Sequence, residues 1–505
     1  MSISYKQGVK NNVRHQILKR AVELLTTVRS SACCVRRSYV RDLYEHFLEM
    51  DESREQIEVK KIDLEYIREW ERLHNETIGH KQPSELSVCY LSGPEPENDF
   101  NELISLGVLP QNIWAFECEQ RTYLQALQSI SSTDYKQPKV LKVSIERFFE
   151  STPKKFDIVY IDACSPLVAD QHALRCIASL FKFQRLNSPG VLISNFSEVD
   201  SSNSTLMNEY LDMITRYFYI QQNRNASLVT DGTTVRYHDG ISEQKCIIHN
   251  DFDFFYGNFI TSMLCNAGSI VIPTLRFVNS NYINLLSTAP SPNYSLSIAD
   301  INTIRDNTLL KYFASNAFLQ NQHSDFSGIG RVSKLMRELS TESNGVDFVA
   351  ASKRIDDIKH SNVFTNSNIN DVIAFFDDKA SMYQFLDVPN RILLFDSVIN
   401  QLAYPMHYCS DLCLRLTYRA KQTRMYTDLV VFDECRYVYD WLPAIHQIPN
   451  AFKNPSWQYT YRFALDGLIK QRINYNNEFF FQGSVIQKNT PGFEAKNIPE
   501  RITMN

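Results

Sequence analysis

Apolar residues recur over the first eighty positions with the spacing of amphipathic helices. Val13, Ile17, Leu18, Ala21, Leu24 and Leu25 make one stripe, and Val40, Leu43, Tyr44, Phe47 and Leu48 make a second. Residues 64–76 predict a third helix that packs across them before His80-Lys81-Gln82-Pro83 breaks the pattern. The period then changes. Short apolar, β-prone runs at 86–91, 113–117, 140–143, 156–162 and 191–194 alternate with helix-like segments, of which 98–106 is the first. Strands alternating with helical patterns predict an α/β domain with a parallel sheet and crossover helices. A further helix is expected over 205–218, with Leu206, Tyr210, Met213 and Tyr217 on one side.

Residues 254–275 carry no charge and are just long enough to cross a bilayer. Gly257, Asn258, Asn266, Gly268 and Pro273 interrupt them, so the expectation is a buried helix, then a buried strand at 269–272, and no membrane span. The Pro290-Ser291-Pro292 stretch is the best boundary, beyond which 298–317, 330–339, 369–376, 391–402 and 412–439 look helical. Gly483, Pro491, Gly492 and Pro499 punctuate the end. The organisation expected is a basic helical N-terminal region (1–82), an α/β domain (83–289), a mainly helical C-terminal domain (290–473) and an extended tail (474–505). The tail either wraps the body or pairs with a second copy, which makes a homo-oligomer one expected state.

The 505 residues are enough for roughly two to four domains. A net charge of −5 gives no global drive toward nucleic acid. Eleven cysteines without a framework imply reduced thiols and a cytoplasmic setting, and no basic stub with an apolar run marks a secretory signal. Charge is nevertheless uneven. Lys6, Lys10, Arg14, Lys19, Arg20, Arg29, Arg36, Arg37 and Arg41 face only Glu23 in the first 41 residues. That segment either tracks a phosphate backbone or is a solvated face balanced by Asp51, Glu52, Glu55 and Glu58. A second basic segment joins Arg415, Arg419, Lys421, Arg424 and Arg436 with Tyr418, Tyr426, Tyr437 and Tyr439. It reads as a phosphate-contacting surface or as a long amphipathic helix with internal ion pairs. His407, Cys409, Cys413, Cys435 and His446 fall close together, but only Cys409 and Cys413 have paired spacing. They are read as buried thiols, and no metal is expected. Hydrolase elbows, phosphate-cradling Gly-Lys-Ser/Thr loops and His-Glu-x-x-His helices are absent from the sequence.

In a doubly wound sheet the ligand sits at the carboxyl ends of the strands, near the switch in strand order. Gly93, Glu117 and Asp162 each fall at or just beyond such an end. The first loop, Ser92-Gly93-Pro94-Glu95-Pro96, has one glycine where a dinucleotide site wants several, and Glu95, Glu97 and Asp99 open the next helix. Those carboxylates would repel a phosphate placed there. S-adenosylmethionine has no phosphate, and its sulfonium and ammonium groups are cationic.

Residues 86–195 resemble the class I S-adenosylmethionine-dependent methyltransferases, which have a Rossmann-like fold. The resemblance implies that Ser92, Gly93 and Glu95 hold the methionine end of S-adenosylmethionine. It places Glu117 on the ribose, with Glu119 as runner-up, and Glu146, after Ser144-Ile145, near the adenine. Asp162, opening Asp162-Ala163-Cys164-Ser165-Pro166, would face the acceptor as base or orienter. It also implies closing antiparallel strands, for which 233–237 and 246–248 are the candidates. The sequence departs from the family twice: the first loop lacks the second and third glycines, and 162–166 is not the Asn/Asp-Pro-Pro-aromatic motif of amino-methylating enzymes. The leading expectation is methyl transfer to a macromolecular substrate, with RNA or DNA met through the segment from Lys6 to Arg41 or from Arg415 to Arg436. The alternative is a catalytically degenerate domain serving as a binding or assembly module. Each residue also has a plainer role: Gly93 as a turn glycine, Glu117 and Glu119 as helix-entry carboxylates, Asp162 as a cap.

Overall fold

The computed structural model describes residues 8–50, 54–134, 139–168, 173–226, 240–273, 276, 401–442, 453–476 and 498–504. Five strands lie where the apolar runs placed them: β1 (Val88–Leu91), β2 (Ile113–Phe116), β3 (Lys139–Leu141), β4 (Phe156–Asp162) and β5 (Leu186–Ser197). All four pairings among them are parallel, in the order β3-β2-β1-β4-β5. The chain therefore winds outward from β1 on one side and from β4 on the other, the doubly wound arrangement whose ligand crevice opens between β1 and β4.

Helices cover both faces, and alternate strand residues divide between them. Val88, Tyr90, Ile158, Tyr160, Val191 and Ile193 pack with α1 (Gly8–Leu25), α2 (Tyr39–Glu49), α4 (Leu64–Ile78), α5 (Glu97–Ser105) and α6 (Gln120–Ser131), α3 being the short helix Arg54–Val59. Cys89, Val159, Ile161 and Leu192 pack instead with α7 (Ile145–Ser151), α8 (Ala173–Lys182), α9 (Ser204–Ala226), α10 (Gly240–Asn250) and α11 (Phe252–Asn266). Burial on both faces is why these strands read as continuous apolar runs rather than alternating ones.

Among the described residues, the closing strands come from elsewhere than 219–250. Residues 233–237 lie outside the described residues, and Cys246-Ile247-Ile248 belongs to α10, where Gln244 and Ile248, four apart, are buried and Ile247 is exposed. The sheet is completed by β6 (His407–Tyr408), β7 (Leu414–Ala420), β8 (Thr423–Asp433) and β9 (Ile502–Thr503). β8 runs antiparallel to β5, from Gly190 opposite Phe432 to Ser197 opposite Met425. β7 and β6 pair antiparallel with β8, and β9 pairs parallel with β7.

The expected helix over 412–439 is thus mostly a β-hairpin, turning at Lys421 with φ 60°, and the sheet crosses the boundary expected at 290. The misreading has a geometric cause. Arg415 and Arg419, or Arg424 and Asp428, stand four apart, which puts them on one face of a helix and equally on one face of a strand. Burial decides: Leu429 and Val431 pack on one side and Val430 and Phe432 on the other, which only an extended chain achieves. After β8 come α12 (Arg436–Tyr439) and α13 (Pro455–Asn476), the latter packing through Tyr459, Phe463 and Leu468 on the α1 side. Of the other expected helices, 298–317, 330–339, 369–376 and most of 391–402 lie outside the described residues, as do the boundary at 290 and His446.

The strand expected at 269–272 is instead a π-helical turn, Ala267–Val271, that prolongs α11. Close packing requires glycine within it: a Cβ on Gly268 would stand 2.7 Å from ring carbons of both Phe181 and Phe432. Gly268→Ala is expected to cost about 1–3 kcal/mol by overpacking, read as a lower urea midpoint at unchanged slope. An unaltered midpoint would show that the two rings yield freely. Helix α11 is buried against protein, with the Thr261 hydroxyl donating to Asp428 Oδ2 at 2.6 Å. Among the described residues no helix is long and apolar enough to cross a membrane.

Candidate active site

The carboxyl ends of β1 and β2 carry five acids and no base: residues 92–99 and 117–120 hold Glu95, Glu97, Asp99, Glu117 and Glu119. Ser92 continues the β1 ladder by donating its backbone N–H to Phe116 O at 3.0 Å. Gly93 follows with φ 58°, a left-handed conformation that favours glycine, and nothing lies within 4 Å of where its Cβ would stand. The glycine serves the turn, and the space beside it is open. Tyr90, buried beneath, donates its hydroxyl to Pro96 O at 2.7 Å and pins the loop. Glu95 accepts from Asn98 Nδ2 at 3.0 Å, a contact within the turn. Glu97 accepts from Ser129 Oγ at 2.7 Å, while its Oε2 is buried with no hydrogen-bond partner among the described residues. A buried oxygen without a donor marks a place where a ligand's N–H or O–H would be stabilised.

The structure separates the two glutamates after β2. Glu119 caps α6, accepting from the backbone N–H groups of Thr122 (2.5 Å) and Arg121 (2.9 Å); a hydrogen bond from the Thr122 side chain, then these backbone bonds, pull its pKa down. Glu117 is half-buried and accepts from Glu119 N at 2.8 Å through Oε1, which leaves Oε2 for another donor. Glu146 lies in the first turn of α7, after the Ser144 cap. Burial, then Glu117 and Glu146, push the Cys118 thiol up.

Asp162 lies under a different cover. It ends β4 opposite Asn195 of β5, which stands opposite Thr427 of β8, so three polar side chains cross the sheet in one row. Thr427 Oγ1 donates to Asn195 Oδ1 at 2.8 Å, and Asn195 Nδ2 donates to Asp162 Oδ1 at 2.7 Å and to the Tyr418 hydroxyl at 3.3 Å. Cys164, at φ 52°, places its Sγ 3.0 Å from the same carboxylate oxygen. From α1, Lys10 reaches Asp162 Oδ2 at 3.1 Å, with the two side chains 14% and 13% exposed. Burial alone would raise the Asp162 pKa, but Lys10, Cys164 and Asn195 outweigh it and hold the carboxyl below its usual range. One turn on, Arg14 Nε donates to Asp99 Oδ1 at 2.7 Å. Burial dominates there, so Asp99 stays above the usual carboxylate range in spite of Arg14.

The site residues expected from sequence therefore form two groups: Ser92, Gly93, Glu95, Glu117 and Glu146 along the ends of β1 to β3, and Asp162 beneath α1. Sequence reasoning missed Lys10, Arg14, Asn195 and Tyr418 as parts of this edge. A signal existed for one of them: Arg14 sits on the apolar stripe of α1, in step with Ile17, Leu18, Ala21 and Leu25, where a charge needs a buried partner. The basic N-terminal segment is also partly consumed inside the fold. Arg29 donates to Ile78 O at 2.8 Å, and Arg41 grips Glu71 with two bonds of 2.6 and 2.8 Å.

The Lys10 pair sets an acid limit. A carboxyl whose folded pKa is depressed contributes stability above its unfolded value of about 3.9, and that contribution fades as pH falls through the folded value. Lys10→Met leaves burial as the dominant influence and moves the folded pKa of Asp162 upward. The variant is expected to begin acid unfolding at higher pH than the parent, followed by circular dichroism from about pH 6 to 2. Superimposable acid transitions would refute this role for Lys10.

No family model and no curated sequence matches the chain. Among solved structures, similarity is found to a Haemophilus influenzae protein assigned as a methylase, at 16% identity and a TM-score of 0.20, covering 23% of this chain and 65% of that one. A second is an S-adenosylmethionine-dependent methyltransferase from Clostridium acetobutylicum, at 16% identity and a TM-score of 0.19, covering 28% of this chain and 52% of that one. The chain thus spans less than two thirds of either structure's length, and the methyltransferase-like similarity is confined to a segment.

Proposed function

We propose that this chain is an S-adenosylmethionine-dependent methyltransferase of the cytoplasm that acts on a nucleic acid. The observation that carries the reading is the acid-rich, glycine-poor edge beside the β1/β4 switch point, with the orphaned Glu97 Oε2 and the available Glu117 Oε2. Such a set of anionic acceptors disfavours phosphate and suits a cationic sulfonium and ammonium. Bound there, S-adenosylmethionine would supply an electrophilic methyl group. Ser92, Gly93 and Glu95 hold the amino-acid end in this reading, Glu117 the ribose, and Glu146 borders the adenine. Asp162, kept ionised by Lys10 and oriented by Asn195, is the group that would orient an acceptor or take its proton. Eleven free thiols fit a reducing compartment.

For the substrate, Ser30, Ser31, Arg36, Arg37, Ser38 and Arg41 line a cleft of about 640 Å³ that also touches Glu71 and Asp411. Arg36, with Arg37 and the hydroxyl donors, suits phosphate groups, while Arg41 is held by Glu71.

A specific observation favours a second reading. Lys10 sits on Asp162, and the 3% exposed Tyr418 closes on Asn195, so the place above Asp162 is already filled. That arrangement fits a binding or assembly module that has lost catalysis. Calorimetric titration of the intact chain with S-adenosylmethionine and S-adenosylhomocysteine separates the two. Micromolar binding supports the enzyme, and no heat at millimolar ligand overturns it in favour of the module.

A further inference from the structure

We propose that Cys34, Cys409, Cys435 and Asp433 form a site for one thiophilic divalent metal ion, zinc above all. The inference is independent of the methyltransferase reading. The donors come from three remote parts of the chain: Cys34 between α1 and α2, Cys409 just after β6, and Asp433 with Cys435 where β8 runs into α12. All four residues are buried, with Cys409, Asp433 and Cys435 wholly inaccessible.

Distances gather three of the donors together, and Cys409 joins them through Cys34. Cys34 Sγ and Cys409 Sγ are 3.7 Å apart, and two thiolates on one tetrahedral zinc, each at ~2.3 Å, stand about 3.8 Å apart. The ligand atoms of Cys34, Asp433 and Cys435 all lie within 4.8 Å of one another. The carboxylate is held by an outer shell. Its Oδ2 accepts from Cys34 N (3.0 Å) and the Tyr437 hydroxyl (2.6 Å), and its Oδ1 accepts from Cys435 N (2.9 Å) and Ser188 Oγ (3.2 Å). Hydrogen-bonded carboxylates of this kind are the rule around metal ions. Cys435 itself is kept at φ 49°, a left-handed conformation that a non-glycine residue adopts at a cost of roughly 1–2 kcal/mol.

Sulfur-rich donors select zinc-like ions over magnesium or calcium. Four protein ligands leave no open coordination position, so the ion would be structural. On loading, the three thiols release their protons to solvent. A disulfide between Cys34 and Cys409 would leave Cys435 without a part. Asp433 lies at the β5 end marked by Gly190, the edge of the sheet opposite Asn195. The ion would therefore fasten the connection after α1 to the far edge from the candidate active site.

The test is elemental analysis of the intact chain purified from zinc-supplemented cells, expected to show about one zinc per chain. A mercurial that titrates thiols should release it, and cobalt(II) in its place should give thiolate charge-transfer absorption. Cys34→Ser and Cys435→Ser should lose the metal, while Cys89→Ser, a buried thiol elsewhere, should keep it. Metal-free protein that takes up neither zinc nor cobalt overturns the proposal. So do zinc retention by both cluster variants and a Cys34–Cys409 disulfide detected by mass spectrometry.

Discussion

Asp428→Ala is expected to lose about 3–5 kcal/mol of unfolding free energy, a large share of the stability of an ordinary domain. Asp428 is fully buried in β8. Its carboxylate meets Arg501 Nη1 at 2.6 Å and Nη2 at 3.0 Å, and accepts the Thr261 hydroxyl at 2.6 Å. Across the hairpin it stands opposite Arg415, whose pKa burial lowers while Asp428 pulls it back. Alanine would leave two largely buried guanidinium groups without their carboxylate, and the cost of an unpaired buried charge exceeds the worth of the pair itself. Asp428→Asn keeps an acceptor for Thr261 and should fall between the two. Urea unfolding followed by circular dichroism measures both, and a loss under about 1 kcal/mol for alanine would show that water reaches Arg501.

The second large effect is on binding. Glu117→Ala is expected to weaken S-adenosylmethionine about ten- to a hundredfold, because a hydrogen bond to a charged group is worth about 1.5–3 kcal/mol. Stability should hardly change, since Glu117 is half-buried and accepts a single local bond from Glu119 N. Glu119→Ala should behave in the opposite way. Loss of the α6 cap costs about 1 kcal/mol of stability and leaves the ligand affinity intact. If affinity instead follows Glu119, the ribose carboxylate has been assigned to the wrong side chain.

Much of the α/β core was legible because the parallel strands other than the 12-residue β5 are short, and all five carry an apolar run bracketed by turn residues, and because Gly93, Glu117 and Asp162 fall at or just beyond strand ends that share one edge. Helices α1, α2 and α4 were legible from the sequence, whereas the short α3 (Arg54–Val59) was not. Local pattern did not reveal partners. Nothing around Thr423–Asp433 says that it lies beside β5, and its charges at intervals of four suit a helix as well as a strand. The cover on Asp162 was equally hidden, because Lys10 and Arg14 read as surface basicity until the fold sets them against carboxylates 152 and 85 residues away. Nor did spacing connect Cys34 with Cys409, since 375 residues separate them.

The pairing of β5 with β8 has a consequence for biosynthesis. Asn195 and Thr427 are separated by 232 residues, and at about 5–20 residues per second a ribosome needs roughly 10–50 seconds to pass from one to the other. During that interval the apolar edge of β5 has no partner, and an unpaired strand edge is a template for aggregation. The nascent chain therefore benefits from a holding chaperone in a way that a sheet completed by its neighbouring sequence would not, and slower translation would lengthen the exposed interval. By the same logic a chain truncated after residue 289 should accumulate in inclusion bodies, and co-expression of a segment from 401 onward should bring part of it back into solution.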